Sequence, residues 1–420
     1  MTRPALQARD LAAIDALLFD DDSRRTTRYP GAPVTRQPVH TVYVAADRLH
    51  VDLVETWGAA ARRALEEHAP DPEQFAAATR LDPTEVAGVW PAMTRKLVDE
   101  PIEDLRVDLE DGYGARPDDD EDADAASAGQ LISAAEAAGT LPPFSGVRFK
   151  SLEGGTRRRG IRSLDLVIGS ILEAGTLPSG WVQTLPKVTS TAQVAAMVEL
   201  CARLERAYTL AEGTLVFEVQ VETSQAILGG DGTASVAAMV HAAAGRCSGL
   251  HFGTYDYTAA LGISGGYQAM DHPAADHAKA VMQLAAAGTR VRVSDGSTNV
   301  LPVGDSEQVR AAWALHARLV RRSLERGFYQ GWDLHPAQLP TRYASTYVFF
   351  RRDLEALAER LRNYLRGDAS VVLDEPATAQ AMAAFLLRGV QCGALGADEV
   401  TALVGVPLAR VGTLAERVVG

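Results

Sequence analysis

The chain has 420 residues, of which 47% are hydrophobic and 23% are charged, and its formal net charge at pH 7 is -13. A chain of this kind is an ordinary globular protein with one large core or two, and its acidity disfavours nucleic-acid or membrane-surface binding, which depends on excess Lys and Arg. It shows neither a long apolar run nor a secretory pattern at the N-terminus, so we expect a cytoplasmic protein with no membrane contact.

Residues 1–40 are predicted to form an N-terminal leader. Eight short β-rich segments follow, each succeeded by turn residues and then by an Ala- and Leu-rich helical stretch. In chain order the segments are TVYVAAD, LRVDLED, GVRFKS, WVQTLPK, LVFEVQVET, GLHFGTYD, RVRVSDG and GFYQGWDLHP. From the second segment onward their C-terminal ends recur about every 34 to 40 residues, which is the length of one strand, one crossover helix and two short loops.

Eight such units predict an α/β fold of the (β/α)8 TIM-barrel type over residues 41–345. An open, doubly wound sheet is the alternative. The first interval, from Val44 to Glu110, is longer than the others and must contain an extra helix or two. Residues 346–420 are predicted to form a C-terminal helical extension, either a lid or an oligomer contact, because their apolar residues have helical spacing.

The segment FEVQVET places Glu218, Gln220 and Glu222 on one face of a strand that otherwise has the pattern of a buried one. In a barrel this face points inward, and Glu222 lies at the C-terminal mouth, where active sites are found. Buried polar groups are costly unless they are paired or coordinated. Candidate partners on other strands are Arg106, Asp108, Arg148, Lys150 and Lys187. For Glu218 and Asp108 we favour a purely structural network.

The residues at the predicted strand ends are candidates for chemistry instead. They are Glu110, Asp111, Arg148, Glu222 and Asp256. Glu222 and Asp256, on neighbouring strands, make a half-site of hard oxygen atoms suited to Mg²⁺, which takes one or two carboxylates and keeps several waters. A 2-oxo acid could chelate at the open positions.

Six motifs carry a family resemblance: LEDGYG, VRFK, LPKVTSTAQV, VETSQAIL, HFGTYDYTAALG and GWDLHPAQL. Their order and spacing over residues 108–338 resemble those of the citrate lyase β-subunit and malyl-coenzyme A lyase family, within the aldolase and citrate lyase superfamily. The resemblance implies a barrel enzyme with Mg²⁺ or Mn²⁺ held by Glu222 and Asp256. It further implies that Arg148 binds the substrate carbonyl or carboxylate, and that Glu110 and Asp111 hold metal-bound waters or orient Arg148.

The function so predicted is a carbon-carbon lyase or aldolase acting on a 2-oxo acid of the pyruvate or glyoxylate class, or on a 3-hydroxyacyl thioester such as a coenzyme A thioester. The metal and Arg148 would stabilise an enolate. The alternatives are an acyl-coenzyme A condensing or thioester-hydrolysing enzyme similar to malate synthase, and a non-catalytic binding barrel. The sequence departs from the family at Phe149 and at 330–332, which predicts a changed pocket. Because family members are commonly oligomeric, we expect a homo-oligomer.

Three further strand-end residues are candidate substrate ligands: Lys187, Asp295 and His335. An Asp before Gly is also a routine turn residue, and a lone His is often structural. The basic stretch from Arg157 to Arg162 follows a pair of glycines and is predicted to be either a flexible loop that binds phosphates of coenzyme A or a polycarboxylate, or a solvated turn that pairs with the acidic DDDED run. The cysteines are scattered and odd in number, set in alanine-rich helical surroundings, and predicted to fill the core instead of forming a disulfide or a zinc site. They are Cys201, Cys247 and Cys392.

Overall fold

The computed structural model describes residues 5–367 and 375–416 and confirms the predicted barrel. Its eight parallel strands are β1 His40–Ala45, β2 Asp104–Asp108, β3 Phe144–Arg148, β4 Trp181–Leu185, β5 Phe217–Val221, β6 Cys247–Phe252, β7 Arg292–Ser294 and β8 Gly331–Asp333. The strands follow one another in the order β7-β6-β5-β4-β3-β2-β1-β8. A parallel bridge between Ser294 and Gln330 joins the two ends and closes the barrel.

Seventeen α-helices lie in the described ranges. They are α1 Ala8–Arg28, α2 Leu53–His68, α3 Pro72–Thr79, α4 Pro83–Asp99, α5 Asp118–Ala138, α6 Arg157–Ala174, α7 Thr191–Ala207, α8 Ser224–Ile227, α9 Ser235–Ala242, α10 Thr254–Ala260, α11 Pro273–Ala286, α12 Ser306–Glu325, α13 Leu339–Arg352, α14 Leu354–Arg366, α15 Pro376–Gln391, α16 Ala397–Val404 and α17 Leu408–Glu416. The long first interval contains α2, α3 and α4, so the expected extra helices are present. None of these helices is both long and apolar enough to cross a bilayer.

Two large hydrophobic clusters hold these elements together. The first lies between the outward strand faces and the surrounding helices, and it includes Val219 and Val221 of β5. The second joins α2, α3, α4 and α12 to the C-terminal helices through buried aromatic side chains such as Trp313 and Tyr347. Alternation along each strand therefore sends apolar side chains outward and leaves the polar set inside the barrel.

The two termini differ in how they meet the barrel. Helices α13 to α17 contribute many buried side chains to the second cluster, whereas α1 contributes no buried residue. The leader is attached after α1, where Gly31 bridges to Thr289. Residues 1–4, 368–374 and 417–420 of the predicted leader and extension lie outside the described residues.

The three cysteines are free and buried, as expected of core residues. Cys247, however, begins strand β6, which corrects the expectation that all three lie in helical surroundings.

Candidate active site

The polar interior of the barrel begins near its N-terminal end with an ion network around Arg106. The Arg106 guanidinium lies 2.8 Å from Asp104 and 3.2 Å from Glu218. Glu218 also accepts a hydrogen bond from Thr184 at 2.5 Å and lies 2.9 Å from the Nε2 atom of His251. Burial would raise the pKa of Glu218, but Arg106 and His251 outweigh burial and lower it to about 2. Glu218 is thus fully paired within the barrel.

The next layer toward the C-terminal mouth is built on Arg148, the last residue of β3. Its Nε and Nη2 atoms donate to both oxygens of Asp108, at 2.7 and 2.5 Å. Its Nη1 atom faces Gln220 at 3.4 Å and Glu110 at 3.6 Å. Burial opposes the charge of Arg148, but Asp108 more than compensates and raises the pKa of the guanidinium well above its usual value. Asp108 therefore fixes two of the three guanidinium nitrogens, and the third, Nη1, points toward Gln220 and Glu110.

At the mouth itself, Lys187 lies at the centre of three carboxylates. Its Nζ atom is 2.8 Å from Glu110, 2.7 Å from Asp111 and 3.0 Å from Asp256. Glu110 and Asp111 follow β2, whereas Asp256 lies in the first turn of α10, after β6. Three separate segments of the chain are thus joined through one ammonium group.

Glu222 is connected to the same cluster through the backbone. Its Oε1 atom accepts the Lys187 backbone N–H at 2.7 Å, and its Oε2 atom contacts the Gln220 side-chain amide. Lys187 has a φ of 51°, a left-handed conformation that non-glycine residues seldom adopt and that recurs at functional sites. Gly253 permits the close packing here, because a Cβ atom at that position would lie 2.5 Å from the Glu222 Cβ.

The site carries an excess of negative charge. Five carboxylates, those of Asp108, Glu110, Asp111, Glu222 and Asp256, face the two cations Arg148 and Lys187. Burial raises the pKa of Glu222 to about 8; Lys187 and Arg148 oppose this rise, and Asp256 and Glu110 add to it. Burial likewise raises the pKa of Glu110. The fold therefore holds more acid at the mouth than its own cations neutralise.

This donor set fits a hard divalent cation in chemistry and charge, because it offers only carboxylate oxygens and has negative charge to spare. The described residues contain no ready-made cage of three or more His, Cys, Asp or Glu ligands. The Lys187 ammonium binds three of these carboxylates, those of Glu110, Asp111 and Asp256. Coordination by Glu222 and Asp256 would require this ammonium to move.

The other candidate residues lie apart from this cluster. Asp295 follows β7, and its carboxylate bonds to Lys279 of α11 at 3.0 Å and to Ser323 of α12 at 2.6 Å, so it faces the helices. His335 is half-buried and accepts a hydrogen bond from the backbone N–H of Ala337 at 3.2 Å. Burial lowers the pKa of His335. No hydrogen bond or ion pair within the described ranges joins either residue to Lys187 or Arg148.

The basic stretch is helical and acid-paired. Arg157 begins α6, so these residues do not form the flexible loop that the sequence suggested. Arg162 lies 2.5 Å from Asp122 of α5, and Arg159 contacts the same carboxylate. Arg159 and Arg162 therefore pair with the acidic run, which was one of the two predicted alternatives. The side chains of Arg157 and Arg158 are exposed.

Tyr43 is not among the residues predicted from the sequence, yet its ring lies 4.7 Å from the Arg148 guanidinium. The alternation of inward and outward side chains along β1 could have identified it. Tyr43 lies on the inward face of that strand and pairs in register with Arg106. Trp332, at one of the family departures, packs on the Tyr43 ring at 4.6 Å. Phe149, at the other, is buried in the helix-facing core and does not line the mouth.

Comparison with known proteins gives a family and several structural likenesses. A family profile described as a domain of unknown function, DUF6986, matches residues 18–419. No curated protein sequence matches the chain.

Three solved structures illustrate the likenesses. Haloferax volcanii malate synthase in a magnesium/glyoxylate complex is 14% identical, with 91% of this chain and 98% of that one covered and a TM-score of 0.47. Mycobacterium tuberculosis CitE in complex with magnesium, acetoacetate and coenzyme A is 19% identical, with 86% and 98% covered and a TM-score of 0.47. An HpcH/HpaI aldolase/citrate lyase family protein from Burkholderia cenocepacia is 16% identical, with 80% and 98% covered and a TM-score of 0.38.

Proposed function

This chain belongs to the family described as a domain of unknown function, DUF6986, and we propose that it is a Mg²⁺-dependent carbon-carbon lyase. Its substrate would be a 2-oxo acid of the pyruvate or glyoxylate class, or a 3-hydroxyacyl compound that yields one, with the acyl partner carried as a coenzyme A thioester. One observation carries the proposal. Four strand-end carboxylates meet beside a fixed guanidinium at the barrel mouth, with more negative charge than the adjacent cations neutralise.

The residues divide into those that hold the cation and those that handle the substrate. Glu222 and Asp256 would hold Mg²⁺. When bound there, a divalent cation supplies stabilisation for the negative charge that develops on an enolate or carbonyl oxygen. Glu110 and Asp111 would hold water in the same cluster and keep the mouth acidic.

Arg148 supplies the substrate contact. Asp108 occupies two of its donors, so the guanidinium is held in one orientation and its Nη1 edge faces Gln220 and Glu110. A fixed planar donor of permanent charge suits a carboxylate or an enolate oxygen. Asp108 acts through Arg148 and is a positioning residue.

In the cleavage direction the bond between C2 and C3 of a 3-hydroxyacyl compound breaks. The C3 hydroxyl gives its proton to solvent at the open mouth, and its oxygen becomes the carbonyl oxygen of an aldehyde or 2-oxo acid. The electron pair of the broken bond passes to the acyl fragment, which leaves as an enolate. Arg148 would bind the oxygen on which this charge develops, and preorganised charge of this kind lowers the barrier.

The test begins with metal binding measured by isothermal titration calorimetry. We expect the wild-type protein to bind Mg²⁺ and Glu222→Gln to bind it at least about tenfold more weakly, since a charged ligand is lost. Glu205→Gln is the matched control, because Glu205 is also a buried glutamate but pairs with Arg246 outside the mouth. Absence of Mg²⁺ binding by the wild type would contradict the proposal and favour a non-catalytic barrel.

The reaction class is then tested by product analysis. Incubation with glyoxylate and acetyl-coenzyme A should give a carbon-carbon condensation product if the enzyme runs in the synthetic direction. Release of free coenzyme A without an added oxo-acid acceptor would instead identify thioester hydrolysis. The absence of either product with both glyoxylate and pyruvate would argue against the proposed substrate class.

A further inference from the structure

Lys187 holds a position that a metal ion would otherwise need. Its Nζ atom lies within 3.0 Å of one oxygen each of Glu110, Asp111 and Asp256. Without a cation at this point, the three carboxylates would repel one another at short range. The ammonium therefore stabilises the acidic mouth in the absence of any ion.

A divalent cation coordinated by Asp256 and this ammonium cannot occupy the same space. We propose, on the basis of the metal site proposed above, that Lys187 is a displaceable counter-ion: its ammonium keeps the strand-end acids together in the metal-free protein and leaves them when the divalent cation binds. Lys187 is in this sense a positioning residue for the metal, and it sets the affinity through the ion pairs that must be broken.

The surroundings of Lys187 allow this exchange. Its side chain is 27% exposed, and the side chains of Asp111 and Asp256 are 53% and 45% exposed, so the cluster is open to solvent on one side. The backbone N–H of Lys187 bonds to Glu222 independently of the ammonium. The flexible four-carbon stem can therefore swing the charge outward while the backbone stays in place.

The protein contains four lysines in all, Lys96, Lys150, Lys187 and Lys279, so the exchange can be followed directly. Each of the other three is paired with a carboxylate: Lys96 with Glu103, Lys150 with Glu121 and Lys279 with Asp295. All three are less exposed than Lys187, at 9%, 15% and 3%. They serve as internal controls for amine chemistry on the intact wild-type protein.

The first experiment measures acetylation of each lysine by peptide mass spectrometry, with and without saturating Mg²⁺. The acetylation rate of Lys187 is expected to rise about tenfold with Mg²⁺, as one or two exposed ion pairs are lost. The rates at Lys96, Lys150 and Lys279 should not change. If calorimetry shows that Mg²⁺ binds and the Lys187 rate stays level or falls, the exchange is contradicted while the metal site stands. If Mg²⁺ does not bind at all, both proposals fail.

The second experiment compares Mg²⁺ affinities and thermal midpoints of variants. Lys187→Met should lower the midpoint of the metal-free protein, regain stability when Mg²⁺ is added, and bind Mg²⁺ about tenfold more tightly, because the competing charge is gone. Lys187→Arg, which keeps a charge, should retain an affinity close to that of the wild type. Lys279→Met also removes a buried, acid-paired lysine, but Mg²⁺ should raise its midpoint only as much as it raises that of the wild type, because the metal site is intact. Equal or weaker Mg²⁺ binding by Lys187→Met would overturn the inference.

Discussion

At the scale of single residues, the protonation of Glu222 would make the proposed Mg²⁺ binding depend on pH. Burial holds the pKa of Glu222 at about 8 in the metal-free protein, so the carboxyl carries a proton at neutral pH. A metal ligand must be deprotonated, and binding below pH 8 therefore releases this proton. We expect the Mg²⁺ affinity of the wild type to rise as the pH increases from 6 to about 8 and to level off above that value.

Calorimetry in buffers of different ionisation enthalpy would count the released proton at pH 7. The Glu222→Gln variant has no carboxyl to deprotonate at this position, so the weak affinity that remains to it should vary much less over the same range. A wild-type affinity that is constant between pH 6 and pH 9 would show that Glu222 is already ionised or is not a ligand.

Single residues also show how far the sequence could lead. The inward positions of Glu218, Gln220 and Glu222 follow from strand alternation, and their contacts with Arg106, Arg148 and the Lys187 backbone confirm them. Asp295 likewise lies one residue beyond its strand, but its carboxylate turns to Lys279 and Ser323 of the surrounding helices, a direction that alternation does not reveal. The same holds for Lys150, which follows β3 and turns to Glu121 of α5. Side-chain direction outside a strand depends on loop geometry, which has no comparably simple period.

At the scale of secondary-structure elements, β3 and β4 approach each other where the interior is filled by an arginine. A Cβ atom on Gly146 would lie 1.8 Å from the carbonyl oxygen of Val182 and 2.1 Å from Nη1 of Arg106. Gly146→Ala must therefore separate the two strands or displace the buried guanidinium. We expect a loss of about 3 kcal/mol in the free energy of unfolding, measured by denaturant titration.

Gly154→Ala is the control for this substitution. Gly154 is exposed, and a Cβ atom there would meet no atom within 4 Å. Its free energy of unfolding should stay within about 0.5 kcal/mol of the wild type. A similar stability for the two variants would mean that the barrel interior relaxes around Arg106 more easily than its packing indicates.

Periodicity predicts the eight strands well and the start of α6 poorly. The eight strands were found because short β-rich segments recur at the length of a strand-helix unit. The start of α6 at Arg157 was missed, since a run of arginines beside two glycines has the composition of a loop. Its helical form is supported by pairing of Arg159 and Arg162 with α5, an interaction between segments that local sequence does not reveal.

At the scale of the whole molecule, exposed apolar surface is concentrated on the leader. The large side chains of Leu11, Ile14, Leu17 and Phe19 on α1 are 54 to 77% exposed. On the described C-terminal helices, from Leu339 onward, no large apolar side chain is exposed to a comparable degree. We therefore expect the homo-oligomer predicted from the family resemblance to use α1, and not the C-terminal helices.

Deletion of residues 1–28 tests this expectation. Because α1 buries no side chain, the truncated protein should keep its thermal midpoint to within about 2 °C at a concentration where it is monomeric. Its mass by size-exclusion chromatography with light scattering should fall relative to the full chain. An unchanged mass would place any self-association elsewhere, and a large loss of stability would show that α1 packs against its own barrel.

The ion-filled interior has a consequence for how the members of such a family can diverge. Arg106 pairs with acids from two strands, and Arg148 binds Asp108 with two donors. Replacing one member of these ion pairs therefore leaves the buried charge of its partner unpaired. A substitution inside the barrel then requires a second, compensating substitution of its partner, and such double changes are rare. Changes of side chain should accumulate at the rim instead, at exposed positions such as Asn299 and Val300 after β7, where one substitution can be tolerated without a compensating second.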